Sequence, residues 1–215
     1  MAVTEDDGTR RVPGITRDKN SEYQVIVFGA AGVGKSTIIN RFVNETFRDN
    51  YYPTIEDTYR KVISANKQVC TLQIIDTAGS HQFPAMTRLN MTTGHAFILV
   101  YSVANRQSVD ELKPIITELR QIKQNMEGIP VMLVGNKIDE EKEKRVFPTK
   151  AGEELAKMWN VGFIETSAKT NQNIRELFQE LLQMEKKRTM SLNTEKAKTK
   201  SQLRREKLKG QCLIM

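Results

Sequence analysis

The chain has 215 residues, of which 39% are apolar and 27% charged, with 12 glycines and 6 prolines; this ordinary globular usage excludes a collagen-like or wholly disordered chain and fits one compact domain with appendages. Net charge is +7, but residues 186 to 209 hold ten bases against two acids and so carry +8, leaving −1 for everything else, which excludes the basic folded face that nucleic acid requires. The longest apolar run, Ala96 to Tyr101, is far shorter than the roughly 20 residues of a membrane-spanning helix, and two cysteines, Cys70 and Cys212, make no disulfide framework, which fits a reducing intracellular compartment.

In chain order, residues 1–21 are polar, contain Gly8, Pro13 and Gly14, and lack the apolar stretch of a secretory signal; they read as a flexible extension. From Tyr23 onward, β-rich runs at 23–28, 59–64, 69–75, 96–101, 130–135 and 162–165 alternate with stretches of helical period at 35–44, 84–91, 108–124, 149–159 and 173–187. This pattern predicts an α/β fold with a six-stranded, mostly parallel sheet and helices on both faces. Only Ala65-Asn66-Lys67 separates the second and third runs, too short a link for a crossover helix, so these two form an antiparallel hairpin and supply one antiparallel edge strand. In the last helix, Ile174, Leu177, Phe178, Leu181, Leu182 and Met184 recur at spacings of three and four, a core-facing stripe. Cys70 alternates with Leu72 and Ile74 and reads as a buried thiol, while Met158 and Trp159 read as packing residues at a helix end.

The first strand runs into Gly29-Ala30-Ala31-Gly32-Val33-Gly34-Lys35-Ser36 and then a helix, which is the strand–loop–helix setting of the G-x-x-x-x-G-K-S phosphate loop. Its glycines let backbone N–H groups curl around phosphates, and the helix N-terminus adds partial positive charge. Lys35 neutralises the β and γ phosphates, and Ser36 offers a hydroxyl to Mg²⁺. Asp76-Thr77-Ala78-Gly79 closes the third strand, where an acid serves the Mg²⁺ ion of P-loop enzymes directly or through a second shell. Thr54, in the polar segment between the first helix and second strand, is placed to reach Mg²⁺ only when a γ-phosphate is present, the outline of a conformational switch.

Asn136-Lys137-Ile138-Asp139 ends the fifth strand, and Thr166-Ser167-Ala168-Lys169 follows the sixth. A carboxylate at Asp139 can accept from the N1–H and exocyclic amine of guanine, a donor pair that adenine lacks, and the Ala168 N–H can donate to O6. Each motif alone is weak, but their conjunction with the phosphate loop argues for a guanine nucleotide and against a P-loop kinase or ATPase.

These residues together resemble the Ras superfamily of small GTPases over about residues 22–187. FRDNYYPTIEDTY, DTAGSHQFPAM, GHAFILVYSV and the terminal CLIM resemble the Di-Ras subgroup most. The resemblance implies the P-loop NTPase fold and a GTP site formed by Gly29, Ala30, Ala31, Gly32, Val33, Gly34, Lys35, Ser36, Thr37, Phe47, Tyr51, Thr54, Asp76, Gly79, Asn136, Lys137, Asp139, Ser167, Ala168 and Lys169. Within it, Phe47 lies against the base, Lys137 runs along the ring, Ser36 and Thr54 bind Mg²⁺, Asp76 holds a metal-bound water, and the Gly79 N–H meets the γ-phosphate. Hydrolysis falls to Lys35, Thr54, Gly79 and position 80, and effectors to Tyr51, Tyr52, Pro53, Thr54, Ile55, Glu56, Asp57, Thr58 and Tyr59. An exchange factor is implied as a further partner.

Two departures concern hydrolysis. Ser80, followed by His81, stands where most Ras proteins have the Gln that orients the attacking water, and its side chain is too short for that task. Ala31 replaces the usual Gly, and its methyl crowds the space an arginine finger uses. The expectation is a slow GTPase that stays largely GTP-loaded; the alternative is a constitutively GTP-bound binding module with negligible catalysis. Rap proteins also lack the Gln and are served by activators that insert an Asn, so a Rap-type activating protein is admitted by analogy. Tyr52 stands where Ras has an acid, which sets the effector surface apart from that of Ras.

Residues 188–215 form a basic tail ending in Cys212-Leu213-Ile214-Met215, a C-a-a-X motif that favours farnesylation of Cys212. One lipid binds marginally, and the basic run supplies the second signal on an anionic leaflet. The tail therefore addresses the cytoplasmic face of the plasma membrane rather than nucleic acid, with phosphorylation of Ser201 a means of weakening attachment.

Overall fold

A computed structural model describes residues 22–49, 52–65, 68–79 and 83–185. The N-terminal extension, Tyr51, Ser80, His81, the Cys70 side chain and the tail with Ser201 and Cys212 lie outside the described residues.

The strands are β1 (Glu22–Gly29), β2 (Glu56–Ala65), β3 (Gln68–Thr77), β4 (Ala96–Ser102), β5 (Val131–Asn136) and β6 (Gly162–Thr166), and the helices α1 (Lys35–Asn44), α2 (Pro84–Thr93), α3 (Gln107–Asp110), α4 (Leu112–Lys123), α5 (Thr149–Trp159) and α6 (Ile174–Gln183). They build one sheet in the order β2-β3-β1-β4-β5-β6. Every pairing is parallel except β2 with β3, which runs antiparallel from Glu56↔Thr77 to Ala65↔Gln68. The expected fold class, with its antiparallel edge strand, is the one observed.

Alternation along the strands divides the core into two layers. Val25 and Val27 face a cluster with Ile38, Phe42, Leu177 and Phe178, so α1 and α6 cover one side. Ile26 and Phe28 face the opposite cluster with Leu112, Ile116, Leu119 and Trp159 from α4 and α5. All of β4 and β5 is buried, as expected of parallel strands covered on both faces. The α6 stripe is core as its spacing predicts, anchored by the Phe178 ring stacked on Phe42 at 3.7 Å between centroids. Among the described residues, no helix is long and apolar enough to cross a membrane.

Three readings are corrected. The helix expected over 108–124 is two, meeting at Glu111. Pro114 has no N–H for the Asp110 carbonyl and its ring crowds that oxygen, so the helical ladder is interrupted there. Strand β2 begins at Glu56 rather than 59, because β3 continues to Thr77 and templates a ladder onto residues of poor strand propensity. Met158 is 75% exposed, whereas Gly152, Ala156 and Trp159 form the buried face of α5 at helical spacing.

Candidate nucleotide site

The loops after β1, β3, β5 and β6 leave the carboxyl ends of parallel strands and gather at one edge of the sheet, where open α/β sheets hold ligands. They enclose a cavity of about 480 Å³. Its walls bring together Ala31, Gly32, Gly34, Lys35, Ser36, Thr37, Phe47, Thr54, Gly79, Asn136, Lys137, Asp139, Ala168 and Lys169, along with Tyr52, Asp57 and Tyr59. Of the expected site residues, Gly29, Ala30, Val33, Asp76 and Ser167 stand behind these walls or beside them.

Only glycine suits two positions of the phosphate end. Gly34, which precedes α1, has φ +98°, and a Cβ there would strike the Asn136 amide. Gly79 packs directly on the backbone of Ala31, with the Ala31 methyl only 2.8 Å from the point a Gly79 Cβ would occupy. Lys35 is buried, and its Nζ donates to the carbonyls of Gly29 and Ala30 at 2.9 Å each, which holds the ammonium under the loop. Burial lowers its pKa, opposed by the charges of Asp76 and Glu111.

The Ser36 and Thr54 hydroxyls lie 3.1 Å apart, so the segment before β2 is folded onto the start of α1. Beside them Asp76 is fully buried, and neither carboxylate oxygen has a hydrogen-bond partner. Burial pushes its pKa up to about 6, against the pull of the Ser36 hydroxyl and the Lys35 charge and with a further push from Asp57. An orphaned carboxylate next to two hydroxyls is a set of hard oxygen donors, and it fits Mg²⁺.

At the other end, Asn136 is a strut. Its Nδ2 donates to the Val33 carbonyl at 2.9 Å, while its Oδ1 accepts from Thr166 Oγ1 at 3.1 Å and from the Ala168 N–H at 3.3 Å. The Ala168 N–H expected on a base oxygen is therefore turned to Asn136. Ser167 Oγ donates to Asp139 Oδ1 at 2.5 Å and accepts from the Thr170 N–H, which fixes the direction of the carboxylate.

Two contributors escaped the sequence reading. Asn90 of α2 donates to Glu56 at 2.6 Å, tying the start of β2 to α2. Arg41, in the last turn of α1, reaches the carbonyls of Ala168 and Lys169 across the fold. The only sequence signal for Arg41 is a base at a helix C-terminus, which is ordinary.

This arrangement has close counterparts. Residues 24–187 match the Ras family. The chain is 59% identical over 198 residues to "GTP-binding protein Di-Ras2" of Macaca fascicularis, covering 92% of this chain and 99% of that protein. It is 56% identical to "GTP-binding protein Di-Ras1" of Homo sapiens over the same shares of each chain. With "GTP-binding protein drn-1" of Caenorhabditis elegans it shares 58% identity over 180 residues, 83% of this chain and 82% of that one. The phosphate loop, the orphaned acid and the strutted Asn-Lys-x-Asp turn thus sit within a match that runs the length of the sheet, and the chain belongs to the Ras family.

Proposed function

We propose that this chain binds GTP and GDP with Mg²⁺ and acts as a membrane-attached signalling switch that hydrolyses GTP slowly. The observation that carries the reading is the fully buried Asp76 carboxylate, unpartnered behind the wall of the recess that Lys35, Ser36 and Thr54 line. Such a charge is costly to bury unless a cation meets it. Ser36 and Thr54 hold Mg²⁺ directly and Asp76 through a water. Lys35 and the loop from Gly29 to Thr37 hold the phosphates, with Gly79 N–H on the γ-phosphate. Phe47 and Lys137 flank the base, and Asn136, Asp139, Ser167, Ala168 and Lys169 read it. For Ala168 this requires the N–H now 3.3 Å from Asn136 Oδ1 to be shared with or given to the guanine oxygen. Kinship with Ras-family GTPases supports the nucleotide and the hydrolysis in general.

Slow turnover rests on two residues. Ser80 lacks the reach of the Gln that orients water, and the Ala31 methyl, packed at the Gly79 backbone, narrows the entry for an arginine finger. Effectors dock on 51–59, where Tyr52 and Ile55 are 70% and 68% exposed. The test is the guanine nucleotide carried by protein purified from cells without added ligand. Mostly GTP supports Ser80 and Ala31 as brakes and makes the activating protein the control point; mostly GDP overturns the slow-turnover reading and directs attention to His81 and an exchange factor. Carriage of ATP would overturn the guanine assignment.

A further inference from the structure

Arg41 does not line the cavity, yet its guanidinium touches two of the walls that would enclose a base. Nε donates to the Ala168 carbonyl at 2.9 Å and Nη2 to the Lys169 carbonyl at 2.9 Å. Nη1 donates to the Glu45 carbonyl at 3.1 Å, just past the end of α1, where Glu45 takes a left-handed φ of 58°. The same group lies over the Phe47 ring, 5.4 Å from its centroid. The contacts span 127 and 128 residues of sequence and unite α1, the loop after β6 and the segment leading to Phe47.

We infer that Arg41 is a positioning residue of the guanine pocket, holding the Ala168-Lys169 loop and the Phe47 ring together from behind and thereby setting how long a nucleotide stays bound. The inference rests on the guanine reading above. Ala168 is held at both ends, its N–H on Asn136 and its carbonyl on Arg41, so its orientation toward the cavity is fixed by one strut on each side. The neck of the loop is closed independently by reciprocal backbone hydrogen bonds between Ser167 and Gln172. Loss of Arg41 therefore leaves the neck closed and frees the Ala168 and Lys169 carbonyls within the loop. Hydrogen bonds from a charged donor are stronger than neutral ones, and this group makes three to acceptors pointing in different directions. A lysine ammonium is a single point of charge and does not span the three carbonyls.

The test uses the full chain loaded with mant-GDP, a fluorescent guanine nucleotide, with Mg²⁺ present and excess GDP as chase. Arg41→Ala is expected to release the probe on the order of tenfold faster or more, and Arg41→Lys, which keeps the charge, to release it nearly as fast. Discrimination between GDP and the diphosphate of 2-aminopurine riboside, which lacks O6, is expected to narrow in both variants. Amide hydrogen exchange in the GDP-bound state is expected to rise over residues 168–171 and to stay unchanged in β4 and α6. Release within about twofold of wild type, full rescue by lysine, or exchange that rises throughout the sheet would each overturn the assignment, the last by showing a general loss of stability. A wild type that does not retain mant-GDP would overturn the guanine reading itself, and the role of Arg41 with it.

Discussion

At the residue scale, two buried side-chain groups among the described residues stand without partners, and they point to opposite consequences. The Tyr101 hydroxyl is enclosed against Gly135 of β5 and Gly152 of α5, its ring set edge-on to Phe147 at 5.3 Å, and the oxygen has no hydrogen-bond partner. Burial raises its pKa, so it stays a neutral phenol that forfeits its bonds to water. Tyr101→Phe removes the oxygen and keeps the ring, and is expected to stabilise the protein by about 1 kcal/mol in urea denaturation. Asp76 is different, because its cost belongs to a site. The folded carboxyl titrates at about 6 against a usual 3.8, so the native state binds its proton more tightly than the unfolded chain does. Stability of the nucleotide-free protein, as set by this group, therefore falls as pH rises from about 4 to about 6 and levels off above that. The difference corresponds to about 3 kcal/mol at most. Asp76→Asn is expected to exceed wild type by up to that amount in EDTA at pH 7.5, with the advantage shrinking to about half by pH 5. With nucleotide and Mg²⁺ added, the order is expected to reverse, since on the proposed reading the variant has lost the charge that meets the metal. An equal advantage at both pH values would show that the carboxylate charge is not the cause.

Hydrolysis also belongs to this scale. Ser80→Gln with Ala31→Gly restores the side chain that orients water and removes the methyl at Gly79, and single-turnover GTP hydrolysis by the double variant is expected to be faster than wild type. An unchanged rate would remove both residues as brakes. The phosphate loop, the Asp76 turn and the Asn136 turn were legible in the sequence because each is a short motif at the end of its own strand. Arg41 and Asn90 were not, because their partners lie far away in sequence and only the folded sheet brings them near.

At the scale of elements, what the sequence displays depends on how an element is covered. Strands β4 and β5 are buried on both faces and appear as unbroken apolar runs, and α6 shows its stripe because one side meets the sheet. Strand β2 is an edge, so its first three residues, Glu56, Asp57 and Thr58, carry no apolar signal and owe their conformation to the ladder offered by β3. The break between α3 and α4 is written in Pro114, but the apolar periodicity continues through Leu112, Ile116 and Leu119 and conceals it. Element α6 also provides a test of what holds the first layer. Phe178 is fully buried and stacked on Phe42, which belongs to the helix carrying Lys35 and Arg41. Phe178→Ala leaves a cavity beneath α1 and is expected to cost about 3–5 kcal/mol in denaturant unfolding. Because α1 carries both the phosphate-loop lysine and Arg41, GDP release should also quicken in that variant. In contrast with Arg41→Ala, the change in stability would be global.

At the scale of the whole molecule, the charge distribution separates two tasks. Residues outside 186–209 sum to −1, which suits a domain that holds an anionic ligand in one local recess and otherwise has little attraction for an anionic surface. The +8 segment and Cys212 follow α6 in the sequence, and on the proposed reading they are the two weak signals that stable attachment requires. A single lipid chain gives only marginal, reversible binding, and each base near an anionic leaflet contributes about 1 kcal/mol. Cys212→Ser is therefore expected to leave the protein in the soluble fraction of cells. Replacing Arg204, Arg205, Lys207 and Lys209 by Gln, with Cys212 intact, should weaken binding to phosphatidylserine vesicles by roughly three orders of magnitude, since four contributions of about 1 kcal/mol add to about 4 kcal/mol and every 1.4 kcal/mol is tenfold. High salt should abolish the difference between the Gln variant and wild type, because it screens the basic run and leaves the lipid alone. Membrane association that survives Cys212→Ser would refute the lipid anchor, and binding by the Gln variant equal to wild type at low salt would assign attachment to the lipid without the charges.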